Sequence, residues 1–267
     1  MNKRILSLLG SAVAVVAVVG IMSVTKVPHV YASTSVTSGD LIRGTSFSAV
    51  YYMGADGFRY VFPNDKTYFT WYSNFDTVKF LSDADLAKIQ MGGNVTYKPG
   101  SKMIKINSDP KTYAVSAGGT LRHVTSEDIA IAIFGSTWNK QIDDVPDGFF
   151  SNYTIGNEIT NSTNYSATAE QTQATDINTD KSLKAPQIVT IWNTGYSPVT
   201  VSIKAGRTVT FVNGDTIKHT ATADDLTWGT GTMEAGGTFT HRFATAGTFT
   251  FFDSYDSGNT GTITVTQ

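Results

Sequence analysis

The chain of 267 residues contains no cysteine. That absence excludes disulfides, thiolate metal centres, iron–sulfur clusters and cysteine nucleophiles. Charge is scarce as well: 16% of residues are charged and the formal net charge is −2. A near-neutral balance with no basic stripe argues against a nucleic-acid binder. Long apolar runs are missing beyond residue 24, so no second membrane-spanning segment is expected. What is present is apolar material, 40% of the chain, which suffices for a core and excludes wholesale disorder. The length suits one large domain or two modest ones.

The N-terminus carries an address. Lys3 and Arg4 precede an apolar run over residues 5–24, followed by Lys26, Pro28 and Val30-Tyr31-Ala32. A basic start, an apolar stretch and a small-residue motif describe an export signal, with cleavage expected after Ala32. The alternative is an uncleaved anchor, since ~20 apolar residues just span a bilayer. Both place the rest of the chain outside the cytoplasm, and only the anchor gives it membrane contact. Removing Lys3, Arg4 and Lys26 leaves 17 basic and 22 acidic residues, net −5. An exported chain without cysteine relies on packing alone.

Beyond residue 32 the pattern divides. Residues 40–160 are aromatic-rich and mixed in periodicity. Residues 161–185 are polar, with almost no large apolar side chain, and are expected to form a flexible linker. Residues 186–267 alternate as strands do. The first module contains a degenerate repeat. Val50-Tyr51-Tyr52-Met53, Gly57 and Arg59-Tyr60-Val61-Phe62 form one copy; Thr112-Tyr113-Ala114-Val115, Gly119 and Arg122-His123-Val124 form the other. Arg59 and Arg122, like Gly93 and Gly156, stand 63 residues apart. Each copy reads as a β-hairpin followed by a helix start. Ser126 is placed to cap a helix entered by Glu127 and Asp128; Asn64-Asp65 and Ser82 mark two more starts. The module is therefore expected to be α+β, two hairpin–helix units packed together.

This stretch resembles a domain of exported proteins from small-genome, uncultivated bacteria, over roughly residues 41–156. The likeness rests on Gly57-Phe58-Arg59-Tyr60-Val61-Phe62-Pro63-Asn64, Thr67-Tyr68-Phe69-Thr70-Trp71-Tyr72, Gly92-Gly93-Asn94-Val95-Thr96-Tyr97 and Asp109-Pro110-Lys111. It implies an extracellular, surface-associated setting and names no activity. Ten of the chain's 31 aromatic residues fall within residues 47–72. Two readings stand: hairpin aromatics building a core, or exposed faces stacking on sugar rings. Asp143-Asp144 and the pair Asp83 and Asp85 are expected to solvate loops or start helices.

In the C-terminal module Val199, Val201 and Ile203, then Val209 and Phe211, then Ile263 and Val265 are apolar at every second position. Gly-containing turns separate these runs at Ala205-Gly206, Asn213-Gly214-Asp215, Gly236-Gly237 and Ala246-Gly247. Short alternating strands at this spacing predict a Greek-key β-sandwich. The chain as a whole is expected to be mainly β with two domains.

The same residues resemble the cupredoxin family, of plastocyanin or amicyanin type. The likeness runs through Thr208-Val209-Thr210-Phe211-Val212-Asn213, Asp215, Lys218-His219-Thr220-Ala221-Thr222, Glu234-Ala235-Gly236-Gly237-Thr238-Phe239, Ala246-Gly247-Thr248-Phe249-Thr250-Phe251-Phe252 and Gly261-Thr262-Ile263-Thr264-Val265. The resemblance implies a copper site of His, Cys, His and often Met. His219 takes the first place, but Asp253 stands at the cysteine, Asp256 at the second histidine and Asn259 at the methionine. Blue copper needs a thiolate with two imidazoles, so no blue-copper carrier is expected. Three readings remain for His219 and the loop. The site is dead and His219 is hydrogen-bonded to the loop through Asp253; or His219, Asp253, Asp256 and Asn259 bind a divalent metal such as Cu²⁺ or Zn²⁺; or the group does acid–base chemistry. No motif places a nucleophile, so no enzyme is expected. His241 is expected at the surface and His123 in a hairpin. The functional expectation is an exported structural or binding protein whose partners are cell-surface polymers or surface proteins.

Overall fold

The computed structural model describes residues 35–267. The export signal or anchor expected over residues 1–32, with its expected cleavage after Ala32, lies outside the described residues. Among the described residues no helix is long and apolar enough to cross a membrane.

The first repeat runs β1 (Leu41–Gly44), β2 (Tyr51–Met53), β3 (Arg59–Val61), α1 (Asp65–Trp71), β4 (Val78–Leu81), α2 (Asp83–Lys88) and β5 (Met91–Asn94). The second runs β6 (Met103–Ile106), β7 (Asp109–Ser116), β8 (Thr120–His123), α3 (Glu127–Phe134), β9 (Ile142–Asp144), α4 (Asp147–Phe150) and β10 (Thr154–Ile155). The first forms a five-stranded sheet in the order β4-β1-β2-β3-β5; the second forms another in the order β10-β8-β7-β6-β9. These are one topology used twice. In each, a three-stranded antiparallel meander gains a parallel strand at either edge. The repeat legible in the sequence is thus a structural duplication, with Arg59 on β3 and Arg122 on the matching β8.

The helix starts follow from their capping residues. Asn64 accepts from Thr67 N at 2.8 Å, Ser82 from Asp85 N at 3.1 Å and Ser126 from Ile129 N at 3.4 Å. Each side chain satisfies a backbone donor that the first turn leaves free.

Residues 161–185, expected to be a flexible linker, are ordered instead. They contain α5 (Ala167–Gln173) and α6 (Ile177–Asp180), and two of their apolar residues are pinned. Tyr165 joins the core of the second repeat and Ile177, fully buried, joins that of the first. Glu170 of α5 accepts from Ser116 Oγ at 2.7 Å and Ala117 N at 3.1 Å. Asp180 accepts from Gly118 N at 2.8 Å. At Gly100, with φ of +71°, an added Cβ would run into the carbonyl of Ala167, so glycine is what lets α5 lie down there. A few anchors on a prebuilt surface hold a segment whose composition alone would not fold.

The C-terminal lobe comprises β11 (Gln187–Trp192), β12 (Gly195–Ser197), β13 (Thr200–Lys204), β14 (Arg207–Asn213), β15 (Thr222–Ala223), β16 (Thr238–Phe243), β17 (Gly247–Phe252) and β18 (Thr260–Thr266). Two four-stranded sheets, ordered β12-β11-β14-β16 and β13-β18-β17-β15, make a sandwich. Of the alternating apolar residues, Val201, Ile203, Val209, Phe211, Ile263 and Val265 face inward, whereas Val199, ahead of β13, is exposed. Val189, Ile191, Val209, Phe211, Phe251 and Ile263 are fully buried in one core. Trp228 packs against that core, stacked on Phe211 with ring centroids 5.6 Å apart.

The two lobes meet through a partly buried polar junction. Asp56 and Tyr60 from the first repeat receive Arg242 of β16, whose Nη2 lies 2.6 Å from Asp56 Oδ2 and 2.7 Å from Tyr60 Oη. Thr208 Oγ1 donates to the Asp56 carbonyl at 3.1 Å, and Thr240 N donates to Gln90 Oε1 at 2.9 Å.

Candidate functional site

The candidate site lies where the turn after β14 meets the loop between β17 and β18. Asn213, fully buried, fixes the turn. Its Nδ2 donates to the carbonyls of Ile217 at 2.7 Å and Met233 at 2.8 Å, while Oδ1 accepts from Asp215 N at 2.9 Å. Paired backbone bonds between His219 and Met233 then hold His219 in place: His219 N to Met233 O at 3.2 Å, and Met233 N to His219 O at 2.8 Å.

His219 is 2% exposed and Asp253 0% exposed. His219 Nδ1 lies 2.6 Å from Asp253 Oδ2. The other carboxylate oxygen, Oδ1, accepts from Thr220 N at 3.0 Å, Thr220 Oγ1 at 3.3 Å and Tyr255 N at 3.0 Å. A buried carboxylate is costly unless paired and hydrogen-bonded; this one is both. Tyr196, packed edge-on against Phe251, donates to the Thr220 carbonyl at 2.7 Å. Burial, with the Asp253 carboxylate nearby, pushes the Tyr196 phenol far above the ordinary tyrosine range.

On the far side of the ring, His219 Nε2 is buried with no hydrogen-bond partner, and Asp215 Oδ2 stands 3.6 Å away. Backbone donors at Thr216 and Asn193 hold the Asp215 carboxyl below its ordinary pKa. Asp215 and Thr220 appear in the sequence only as part of the family likeness and are given no site role there. The i,i+4 spacing of Asp215 and His219 is the signal that could have found the first.

Of the four residues at copper-ligand positions, the structure brings His219 and Asp253 together. Asp256 does not join them: it is exposed, and its Oδ1 accepts from Gly258 N of its own loop at 3.1 Å. The reason is local, since the loop closes on itself through backbone bonds from Asp253 N to Asn259 O at 3.0 Å and Asn259 N to Asp256 O at 2.9 Å. Asn259 is half-buried, and its Nδ2 has no partner. Among the described residues, no group of three or more His, Asp or Glu side chains is placed to hold a metal ion. The donor set therefore does not fit blue copper. There is no thiolate in the chain, and the imidazole nitrogen facing the cysteine position is held by a carboxylate.

The other sequence candidates fall as follows. His123 ends the β7–β8 hairpin, its Nδ1 3.2 Å from Glu158. His241, expected at the surface, is instead half-buried and stacked on Trp228 at 4.9 Å, because β16 turns it toward the edge of the sandwich core. Burial holds its imidazole below the ordinary histidine pKa. Asp83 and Asp85 enter α2 as expected. Asp143, expected to solvate a loop, is buried, accepting from Tyr97 Oη at 3.2 Å and Lys102 Nζ at 2.9 Å. Within residues 47–72, Tyr52, Phe58, Tyr60, Phe62 and Tyr68 build the core, whereas Phe47 and Phe69 are exposed.

A two-sheet sandwich with a buried histidine between the turn after β14 and the β17–β18 loop defines the class of the C-terminal lobe: it is a cupredoxin-like domain. The cupredoxin-like domain family matches residues 163–265, beginning inside the segment expected to be a linker. Solved structures similar to this chain include a purple cupredoxin from Nitrosopumilus maritimus, at 23% identity over 30% of this chain and 99% of that one, TM-score 0.29. A copper-containing nitrite reductase from Thermus scotoductus is 23% identical over 32% of this chain and 23% of that one, TM-score 0.30. A methionine-to-alanine mutant of amicyanin in its Cu(I) form is 22% identical over 30% of this chain and 82% of that one, TM-score 0.29. No curated protein matches the chain.

Proposed function

We propose that this chain is an exported, non-enzymatic protein of the cell surface, in which the cupredoxin-like lobe serves as a structural or binding module and carries no blue copper. The buried Asp253 carboxylate supports this reading above all. It stands at the cysteine position and is engaged by an imidazole, two backbone N–H groups and a hydroxyl. The role there is to tie the β17–β18 loop to the turn carrying His219. Burial of His219 Nε2 supports a structural part for the ring, since a catalytic nitrogen must reach its substrate's proton. Export rests on the pattern of residues 1–32 and accords with the setting in which cupredoxin-like domains are often found. The partners are cell-surface polymers or other surface proteins.

The test is titration of the purified chain with Cu²⁺ under visible spectroscopy. No intense copper–thiolate band is expected, because that band needs a sulfur ligand; its appearance would overturn the reading.

One observation favours a second reading, a divalent-metal site for Cu²⁺ or Zn²⁺. The unpartnered Nε2 of His219 faces the Asp215 carboxylate at 3.6 Å. Calorimetry with Zn²⁺ and Cu²⁺ separates the two. Stoichiometric binding abolished in His219→Ala establishes the metal site, and its absence leaves the structural role.

A further inference from the structure

The junction of the lobes holds a feature that the histidine site does not use. A crevice of about 120 Å³ opens there, lined by Lys181, Lys184, Arg207 and Arg242 with Asp56 as its one carboxylate. Two lysines and two arginines thus line one small space in a chain whose formal net charge is −2. Asp56 is already committed to Arg242 at 2.6 Å and to Tyr60 Oη, also at 2.6 Å. Among the described residues, the side chains of Lys181, Lys184 and Arg207 have no hydrogen-bond or ion-pair partner. Arg242 spends Nη2 on Asp56 and Tyr60, while its Nε is buried with no partner.

We propose that this crevice binds a small oxyanion of the phosphate or sulfate type, either free or as a charged group carried on a larger molecule. Size and chemistry agree on that class. The crevice is too small for a sugar ring platform and is rich in N–H donors, and its one carboxylate, Asp56, is already engaged by Tyr60 and Arg242. Arginine offers a planar fork and lysine a compact charge, the two donors that oxyanions use most. Lys181 adds a further reason. Its ammonium is largely withdrawn from water, and that burial holds its pKa below the ordinary lysine value. It makes no hydrogen bond within the described residues: it lies 5.5 Å from the centroid of the Tyr60 ring, and the Asp180 and Asp56 carboxylates offset its burial only in part. A desolvated ammonium without an acceptor gains most from an arriving anion. The elements that build the crevice come from both lobes and from the segment after α6. The site therefore exists only in the assembled chain, and its anion would join the lobes.

The test is calorimetric titration of the full chain with inorganic phosphate and with sulfate at low ionic strength. One anion per chain is expected. Affinity should drop by about tenfold in Arg207→Gln and again in Lys184→Gln, the loss expected for each charged hydrogen bond removed. Both side chains are outside the cores, so the variants should keep the wild-type melting temperature. Binding should weaken as salt rises from ~0.01 to ~0.15 M, where the Debye length contracts from ~30 to ~8 Å. A parallel titration with a sugar phosphate separates the sources. Equal affinity shows that the group is read on a larger molecule, and binding of inorganic phosphate alone shows a site for the free ion. Failure of the wild-type chain to bind either anion saturably, or unchanged affinity in both variants, overturns the proposal. None of these outcomes depends on whether His219 binds a metal.

Discussion

At the scale of single residues, the decisive position is Asp253. A carboxylate at zero exposure persists because His219 Nδ1, two backbone N–H groups and the Thr220 hydroxyl all point at it. Removing it strands those donors in the interior. Asp253→Ala should cost about 3–5 kcal/mol, the range for breaking a buried pair by deleting one partner. Asp253→Asn, which keeps an acceptor oxygen, should cost less. Equilibrium denaturation in urea measures both, and equal stability of Asp253→Ala and the wild type would remove Asp253 from its structural role. The zero cysteine count foretells the missing thiolate. It cannot foretell that the replacement is buried and fully paired, because pairing depends on Thr220 and Tyr255, which reach the carboxylate only through the turn after β14 and the loop conformation.

Among the secondary-structure elements, the caps and the repeat were legible and the α5–α6 segment was not. Asn64, Ser82 and Ser126 act locally, three residues from the backbone donors they cap, so sequence alone exposes them. The polar segment over residues 161–185 is held by contacts distant in sequence, such as Glu170 with Ser116 and Asp180 with Gly118. Composition does not report such contacts. Ile177 makes the difference measurable. It is fully buried in the core of the first repeat. Ile177→Ala should therefore destabilise the chain by about 2–5 kcal/mol, the cost of emptying a buried aliphatic site. A flexible linker would tolerate the same change with no shift in the urea midpoint.

For the whole molecule, the lobes share a polar junction centred on Arg242, and the neighbouring residue, His241, links stability to pH. Burial lowers the folded-state pKa of His241 below the ordinary 6.5. The unfolded chain then binds a proton at pH values where the folded chain does not, so stability rises with pH across that interval. The contribution is undiminished above about 6.5 and declines as pH falls from there toward the folded value. His241→Gln should flatten the part of the stability profile just below pH ~6.5 relative to the wild type. Thermal melts of the two proteins across that range check it, and parallel profiles would assign the pH dependence elsewhere.

What the amino-acid sequence determined by itself is whatever depends on near neighbours and on residue type. This covers the alternation that makes the sandwich strands, the helix caps, the duplicated hairpins and the exclusion of thiolate chemistry. The tertiary structure decided what depends on convergence from afar. It buried His219 between Asp215 and Asp253, turned Asp256 outward, seated α6 on the first repeat and gathered Lys181, Lys184, Arg207 and Arg242 around one crevice. The physical reason is the same in each case. Desolvation and pairing energies are set by the atoms that surround a group, and those atoms come from strands and loops far apart in the chain.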